Sequence, residues 1–130
     1  MSGRRHAPNP AELRRAVESV SDWLSGEGDQ PRRRELATAV RLSLHTLAHD
    51  APGNSVEVRV PPFAVVQCVG GPRHTRGTPS NVVETDPKTW LLLATGLTDW
   101  RTAVADGRVS ASGTRSDLSH LLPLLPLLRL

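Results

Sequence analysis

The 130-residue sequence is poor in three kinds of residue on which many protein functions depend. Aromatic side chains make up 3%, so there is little material for the stacking platforms that bind single-stranded nucleic acid. Cys68 is the one cysteine, which excludes an intramolecular disulfide and is compatible with a reducing compartment. Lys88 is the one lysine, so arginine carries nearly all of the positive charge behind the net +3.

Long apolar runs are also lacking. No stretch approaches the roughly 20 apolar residues of a membrane-spanning helix, and Pro123 and Pro126 break the richest one, residues 118–130. The opening MSGRRHAPNP lacks the apolar region that follows the basic residues of a secretory signal. We therefore expect a cytoplasmic protein with a disordered basic tail over residues 1–8 and a single domain over residues 9–130.

The first third of the domain predicts two helices. Asn9 is a suitable N-cap for a helix over 9–25 that ends at Gly26, and Asp29 is a suitable N-cap for the next. The spacing of apolar residues gives the second helix a buried stripe, formed by Leu36, Val40, Leu44 and Leu47.

Two features of this second helix suggest ligands. The run Arg32–Arg34 opposes the helix dipole, which favours an anionic neighbour, although a solvated helix end is the simpler interpretation. His45 and His49 stand four residues apart, but no third ligand follows at metal-site spacing, so we expect no metal site.

Three strands are predicted next. Residues 55–60 alternate as a half-buried strand does, and the continuous apolar run Phe63–Val69 predicts a central strand in which Cys68 packs as a small hydrophobe. Asn81–Thr85 is the third strand. The loop RHTRGTPS between them offers Arg73, His74 and Arg76 as a candidate anion site, although a polar hairpin connection explains it as well.

The last third predicts a helix pair, a strand and a tail. Asp86 caps a very apolar helix that ends at Gly96. Thr98 caps a second helix, which should bury Trp100, Ala103 and Val104, and Arg108–Ser112 forms a strand with Val109 and Ala111 on one face. Ser116 or Asp117 starts the leucine-rich tail, which must close a pocket, dock on the core or bind a partner to avoid a large exposed apolar patch.

These motifs resemble a known family. The "TG" of Thr95–Gly96, the pair Ala103–Val104, and Gly107 followed by RVSASG look like the C-terminal half of the sterol carrier protein-2 fold. With RVPPF, GPRHTRGTP and NVVETDP before them, the pattern is similar to small sterol carrier-like proteins of actinobacteria over residues 30–125. The resemblance implies an α+β fold, in which a twisted, mainly antiparallel sheet of about five strands carries helices on one face.

The resemblance also implies a non-catalytic carrier that holds a fatty acid, acyl-CoA or sterol-like ligand in an apolar cavity between sheet and helices. Arg73, His74 and Arg76 would contact a carboxylate or phosphate at its mouth. The expected lining residues are Trp90, Leu93, Trp100, Val104, Leu118, Leu121, Leu122 and Leu125. Each of these could instead be plain core. The alternative function is therefore an accessory interaction module with a filled core, whose Arg32–Arg34 run and 73–76 loop bind an acidic protein partner.

Catalytic residues are not expected. No Ser–His–Asp, Cys–His or metal-binding set stands out, and Glu84 and Asp86 are explained as a strand residue and a helix cap. We therefore expect no enzyme activity and no cofactor. Specific nucleic-acid binding is not expected either, since neither a helix-turn-helix nor an RNP motif is present.

Overall fold

The computed structural model describes residues 8–71 and 81–125. Within these ranges the chain forms five α-helices, four β-strands and a short 3₁₀ helix. In order these are α1 (Pro10–Glu18), α2 (Ser21–Leu24), α3 (Arg33–Asp50), β1 (Val56–Val60), β2 (Ala64–Cys68), β3 (Asn81–Thr85), α4 (Pro87–Thr95), α5 (Trp100–Ala105), β4 (Val109–Ser112) and the 3₁₀ helix Ser119–Leu121.

The four described strands form one sheet in the order β2-β1-β3-β4. β1 pairs antiparallel with β2, and β3 pairs antiparallel with β4, while the central pair β1 and β3 is parallel. The α+β class and the mainly antiparallel sheet are confirmed. The strand number is corrected from about five to the four that lie in the described ranges.

The central position predicted for the strand Phe63–Val69 is wrong. This run forms β2, which among the described strands lies at an edge of the sheet, while β1 and β3 are central. Val65 of β2 is 58% exposed, as a side chain on an edge strand can be. The run is continuously apolar because it includes an exposed valine, and not because the strand is buried on both faces of the sheet.

One face of the sheet packs on helices, and the other, which we call the open face, carries charged side chains in the described ranges. Val56, Val58 and Val60 alternate into the core, where α3 lies against β2 and α4 lies against α3. The predicted stripe of α3 is confirmed, since Leu36, Val40, Leu44 and Leu47 are all buried. On the open face, Arg59 forms ion pairs with Glu57 and Glu84.

The predicted single helix over 9–25 is two helices. Ser19 Oγ donates to the Ala16 carbonyl at 2.7 Å, and Ser21 Oγ donates to the Glu18 carbonyl at 2.9 Å. Serine hydroxyls that bind nearby backbone in this way compete with helical hydrogen bonds, which accounts for the break between α1 and α2. The N-cap is confirmed, because Asn9 Oδ1 accepts from the Ala11 N–H at 2.8 Å.

α3 begins later than its predicted cap. Its N-cap is Arg32 rather than Asp29, because the Glu35 carboxylate accepts a hydrogen bond from the Arg32 N–H at 3.3 Å and holds the first turn there. The Arg33 guanidinium lies 5.2 Å from the centroid of the Phe63 ring. Within the described ranges the guanidinium groups of the arginine run form no ion pair within 4.0 Å, and the one at Arg33 lies over an aromatic ring.

The α4–α5 region mostly follows the prediction. The Asp86 cap is confirmed, with its carboxylate accepting from the Thr89 N–H at 3.0 Å, and Gly96 ends α4 at φ 81°. The cap of α5 is Asp99 rather than Thr98, because the aspartate carboxylate reaches the Thr102 N–H at 2.7 Å.

Burial around α5 and β4 is lower than predicted. Ala103 is fully buried, but Trp100 is only half-buried and Val104 is 39% exposed, because the short helix α5 packs mainly on β4. Val109 is buried as expected, whereas Ala111 is exposed on this edge strand. The apolar side chains of α5 and β4 are thus more exposed than the sequence pattern predicts.

Candidate functional site

The eight apolar residues predicted to bind ligand fall into two groups in the structure. Trp90 and Leu118 are completely enclosed by the core, and Trp90 Nε1 donates to Ser43 Oγ of α3 at 2.8 Å. Leu93 is also buried but reaches the wall of a groove. The remaining five are exposed or half-buried, and they are Trp100, Val104, Leu121, Leu122 and Leu125.

An open groove of about 490 Å³ lies between the end of α4, the start of α5 and the segment around the 3₁₀ helix. We call it the Trp100 groove. Three residues from the predicted set, Leu93, Trp100 and Leu122, are brought together in its wall. Among the described residues, its lining is Leu93, Thr95, Gly96, Thr98, Asp99, Trp100, Arg101, Thr102, Ser119, Leu122 and Pro123.

A second depression of about 540 Å³ adjoins the first and shares Trp100, Arg101 and Ser119 with it. We call it the Val104 pocket, since it adds the exposed Val104 to the set. Trp100 therefore borders both spaces, and we call the two together the recess along α5. Val104 is thus the fourth of the predicted ligand-binding residues that lie at this recess.

The start of the leucine-rich tail builds one wall by docking on the end of α4. The Ala94 carbonyl accepts hydrogen bonds from the Leu124 N–H at 2.8 Å and the Leu125 N–H at 2.9 Å. A Cβ atom on Gly96 would lie 3.3 Å from the Pro123 ring, so the glycine allows the close approach. Among the possibilities for the tail, its described part docks on the core.

The rim of the recess is charged and organised. Hydrogen bonds from the Thr102 backbone and hydroxyl lower the pKa of Asp99, and hydrogen bonds from Ser119 lower the pKa of Asp117. Both carboxylates are thus engaged by backbone N–H groups. The exposed Arg101 lines both parts of the recess and forms no ion pair within 4.0 Å in the described ranges. Its guanidinium is the cation available to a ligand there.

Sequence patterns missed Arg101, Asp99 and Ser119, which are ordinary surface types in a helix and its flanks. Only the folding of the tail against α5 places them at one recess. The predicted anion-binding residues Arg73, His74 and Arg76 lie outside the described residues, and that site stays a prediction.

The described residues offer little for covalent or metal chemistry. Burial raises the pKa of the Cys68 thiol to about 11, so the thiolate needed for nucleophilic attack is scarce near neutral pH. His45 and His49 are exposed on α3, and residues 8–71 and 81–125 contain no cluster of three or more metal-ligating side chains. Helices able to cross a bilayer are likewise not found in these ranges.

Comparison with known proteins assigns the family. A family model described as a bacterial SCP ortholog matches residues 32–124, well over half of the chain. The chain belongs to this bacterial sterol carrier protein-like family. No curated protein matches the sequence. The match begins just before α3, so α1 and α2 lie outside the region that defines the bacterial sterol carrier-like family.

Proposed function

We propose that the protein is a non-catalytic lipid carrier that binds a fatty acyl or sterol-like molecule in the recess formed by the Trp100 groove and the Val104 pocket. Its membership of a sterol carrier protein-like family supports a lipid ligand. One observation supports this location for the lipid site: the predicted residues Leu93, Trp100, Val104 and Leu122 all line the recess.

The shape and lining of the recess favour an elongated ligand over a compact one. Trp100 borders both parts, and an apolar chain lying across its ring would cover Leu122 on one side and Val104 on the other. Val104 is one of two large apolar side chains that are prominently exposed in the described ranges. Each buried methylene of such a chain contributes about 0.8 kcal/mol to binding.

The polar end of the ligand would face the rim, where Arg101 is the available donor. A guanidinium binds a carboxylate or phosphate through paired N–H donors, so fatty acids and acyl-CoA suit this rim better than an uncharged sterol. Asp99 and Asp117 partly offset that attraction. Because both carboxylates are held by backbone N–H groups, they contribute a fixed negative charge beside the cation.

The test is a binding series with a matched pair of variants. We expect the purified protein to carry a bound lipid in native mass spectrometry, or to bind one when titrated with a panel of fatty acids and sterols. Val104→Glu places a carboxylate in the recess and should weaken acyl-chain binding at least about tenfold. Val65→Glu introduces the same charge at the other exposed valine, on β2, and should leave lipid affinity unchanged.

Two results would count against the proposal. One is a protein that emerges empty and binds none of the lipids offered. The other is equal weakening by Val104→Glu and Val65→Glu, which would place any lipid site elsewhere than along α5.

A further inference from the structure

A second groove, of about 770 Å³, lies on a different side of the fold, between α3 and β2, which is an edge strand among those described. We call it the α3–β2 groove. Its lining combines apolar side chains with two imidazoles and one amide, and consists of Pro8, Leu42, His45, Ala48, His49, Val65, Val66 and Gln67. None of these residues lines the recess along α5.

The helix side of this groove carries hydrogen-bond donors along one stripe. The exposed positions of α3 recur every three or four residues, which gives Arg34, Arg41, His45 and His49 a common face. Arg41 Nε donates to the Phe63 carbonyl at 3.3 Å, which fixes this guanidinium beside the residue that precedes β2. His45 and His49 follow further along the helix and reach the groove itself.

Few carboxylates balance these donors. Asp50 lies 3.4 Å from His49 Nδ1. The other ion pairs within the described ranges involve Arg59 and Arg108, so Arg34 and Arg41 have no carboxylate partner there. The imidazoles of His45 and His49 therefore line the groove itself, and the guanidinium of Arg41, which has no carboxylate partner in the described ranges, lies on the same face of α3.

The strand side is suited to an extended chain. β2 reads AVVQC, without the charges, prolines or bulges that commonly protect an edge strand from pairing. Val65 is 58% exposed on it, the most exposed large apolar side chain in the described ranges. A peptide lying along such an edge gains backbone hydrogen bonds and alternate contacts for its side chains.

We propose that the α3–β2 groove binds an extended acidic segment of a protein partner, in which apolar residues alternate with Glu or Asp. The apolar residues would cover Leu42, Ala48 and Val65, while the carboxylates accept hydrogen bonds from Arg41, His45 and His49. A concave groove between a helix and a strand fits a peptide chain, whereas a flat bilayer surface does not reach its floor. This adds a protein-docking site to the lipid-binding recess and is independent of it.

The experiment uses the full chain, ¹⁵N-labelled, with a synthetic peptide of alternating Glu and Val at low salt. We expect saturable amide shifts concentrated at Val65, Val66 and Gln67, and at least a fivefold loss of affinity when the salt concentration is raised to screen the charges. A Lys–Val peptide of the same length should bind at least tenfold more weakly. Equal binding of the two peptides, or shifts confined to other elements, would overturn the proposal.

Variants on the two edges of the sheet provide the control. Val65→Glu should weaken binding of the Glu–Val peptide at least tenfold, because it sets a carboxylate against the acidic segment. Ser112→Glu adds the same charge to the exposed surface of β4, at the opposite edge, and should leave the affinity within about twofold. Equal loss in both variants would reduce the effect to general charge repulsion and refute the site.

Anionic vesicles test the competing occupant. We expect vesicles rich in phosphatidylglycerol to cause no amide shifts at β2 that depend on Val65. Any shifts that they do cause there should therefore persist in Val65→Glu. Vesicle binding with that signature, in the absence of peptide binding, would identify a lipid surface as the occupant and contradict the proposal.

Discussion

Trp90 joins α4 to α3 through a hydrogen bond inside the core. Its indole Nε1 donates to Ser43 Oγ, and the same hydroxyl donates to the Ala39 carbonyl at 2.7 Å. Both side chains are about 1% exposed, so neither can turn to water for a substitute partner. The hydrogen bond between them fixes Trp90, the largest buried side chain, in a single orientation.

Removing the Ser43 hydroxyl should therefore destabilise the protein. We expect Ser43→Ala to lower the free energy of unfolding by about 1–3 kcal/mol, because the indole N–H is left buried without a partner. In a double-mutant cycle in urea, adding Trp90→Phe should remove that penalty, so the double variant is more stable than the two single effects predict. Thr38→Ala deletes a similar hydroxyl on the exposed face of α3 and should cost less than about 0.5 kcal/mol. Strictly additive effects in the cycle would contradict the account.

Cys68 gives the protein a specific sensitivity to alkaline pH. Burial raises its pKa from 9.0 to about 11, so between these values the unfolded thiol loses its proton while the folded one keeps it. The contribution to stability is complete below pH 9 and declines as the pH rises to about 11, by at most about 1.4 kcal/mol per pH unit. Urea unfolding of the native protein and Cys68→Ala across this range should show a steeper decline for the native protein. Parallel curves would exclude this role for the thiol.

At the scale of elements, α1 and α2 are the part of the fold outside the family match. They are nevertheless packed into it, since Leu13, Val17, Val20 and Leu24 are buried between them and the helices α3 and α4. Lys88 Nζ of α4 also lies 4.9 Å from the centroid of the Trp23 ring of α2. We therefore expect the N-terminal helices to unfold together with the sterol carrier-like region, as one domain.

A core substitution in α1 tests this integration. We expect Leu13→Ala to lower the free energy of unfolding by about 2–4 kcal/mol and to shift the whole urea transition, as monitored by far-UV circular dichroism. Arg14→Ala changes the adjacent, exposed position and should alter stability by less than about 0.5 kcal/mol. If Leu13→Ala produces only a small early transition and leaves the main one in place, the N-terminal helices are an independent appendage.

Local sequence signals predicted the elements better than their arrangement. Asn9 and Asp86 cap helices as expected, and Gly96 ends one, because these side chains and this backbone act within a few residues of themselves. The edge position of β2 and the exposure of Val104 depend on which strands and helices become neighbours. Periodicity holds no information on that choice, so the apolar run predicts a central strand where the fold has an edge strand.

The candidate site shows the same division. Four of the eight predicted lining residues meet at one recess, because the helix pair and the tail that carry them are adjacent in the chain. Trp90 and Leu118 pack in the core, which an apolar pattern does not separate from a ligand wall. Arg101 could not be selected from sequence, since its importance arises only where the tail docks beside it.

At the scale of the whole molecule, the two grooves give the protein two distinct surfaces. The recess along α5 is bordered by the tail and suits an acyl chain, whereas the α3–β2 groove suits a peptide with acidic residues. Because they share no lining residue, lipid and partner could be bound at the same time. If both proposals hold, this sterol carrier-like protein would carry a lipid in one groove and dock on an acidic partner through the other.

The central claim is that an acyl chain lies against Trp100, and quenching by a bromine-labelled fatty acid tests it most directly. Bromine quenches tryptophan fluorescence only at short range, and the protein has three tryptophans, at positions 23, 90 and 100. We predict saturable quenching that is largely lost in Trp100→Phe and retained in Trp23→Phe, whose ring lies over the lysine of α4. Quenching that survives in Trp100→Phe, or no quenching in the native protein, would contradict the proposed lipid site.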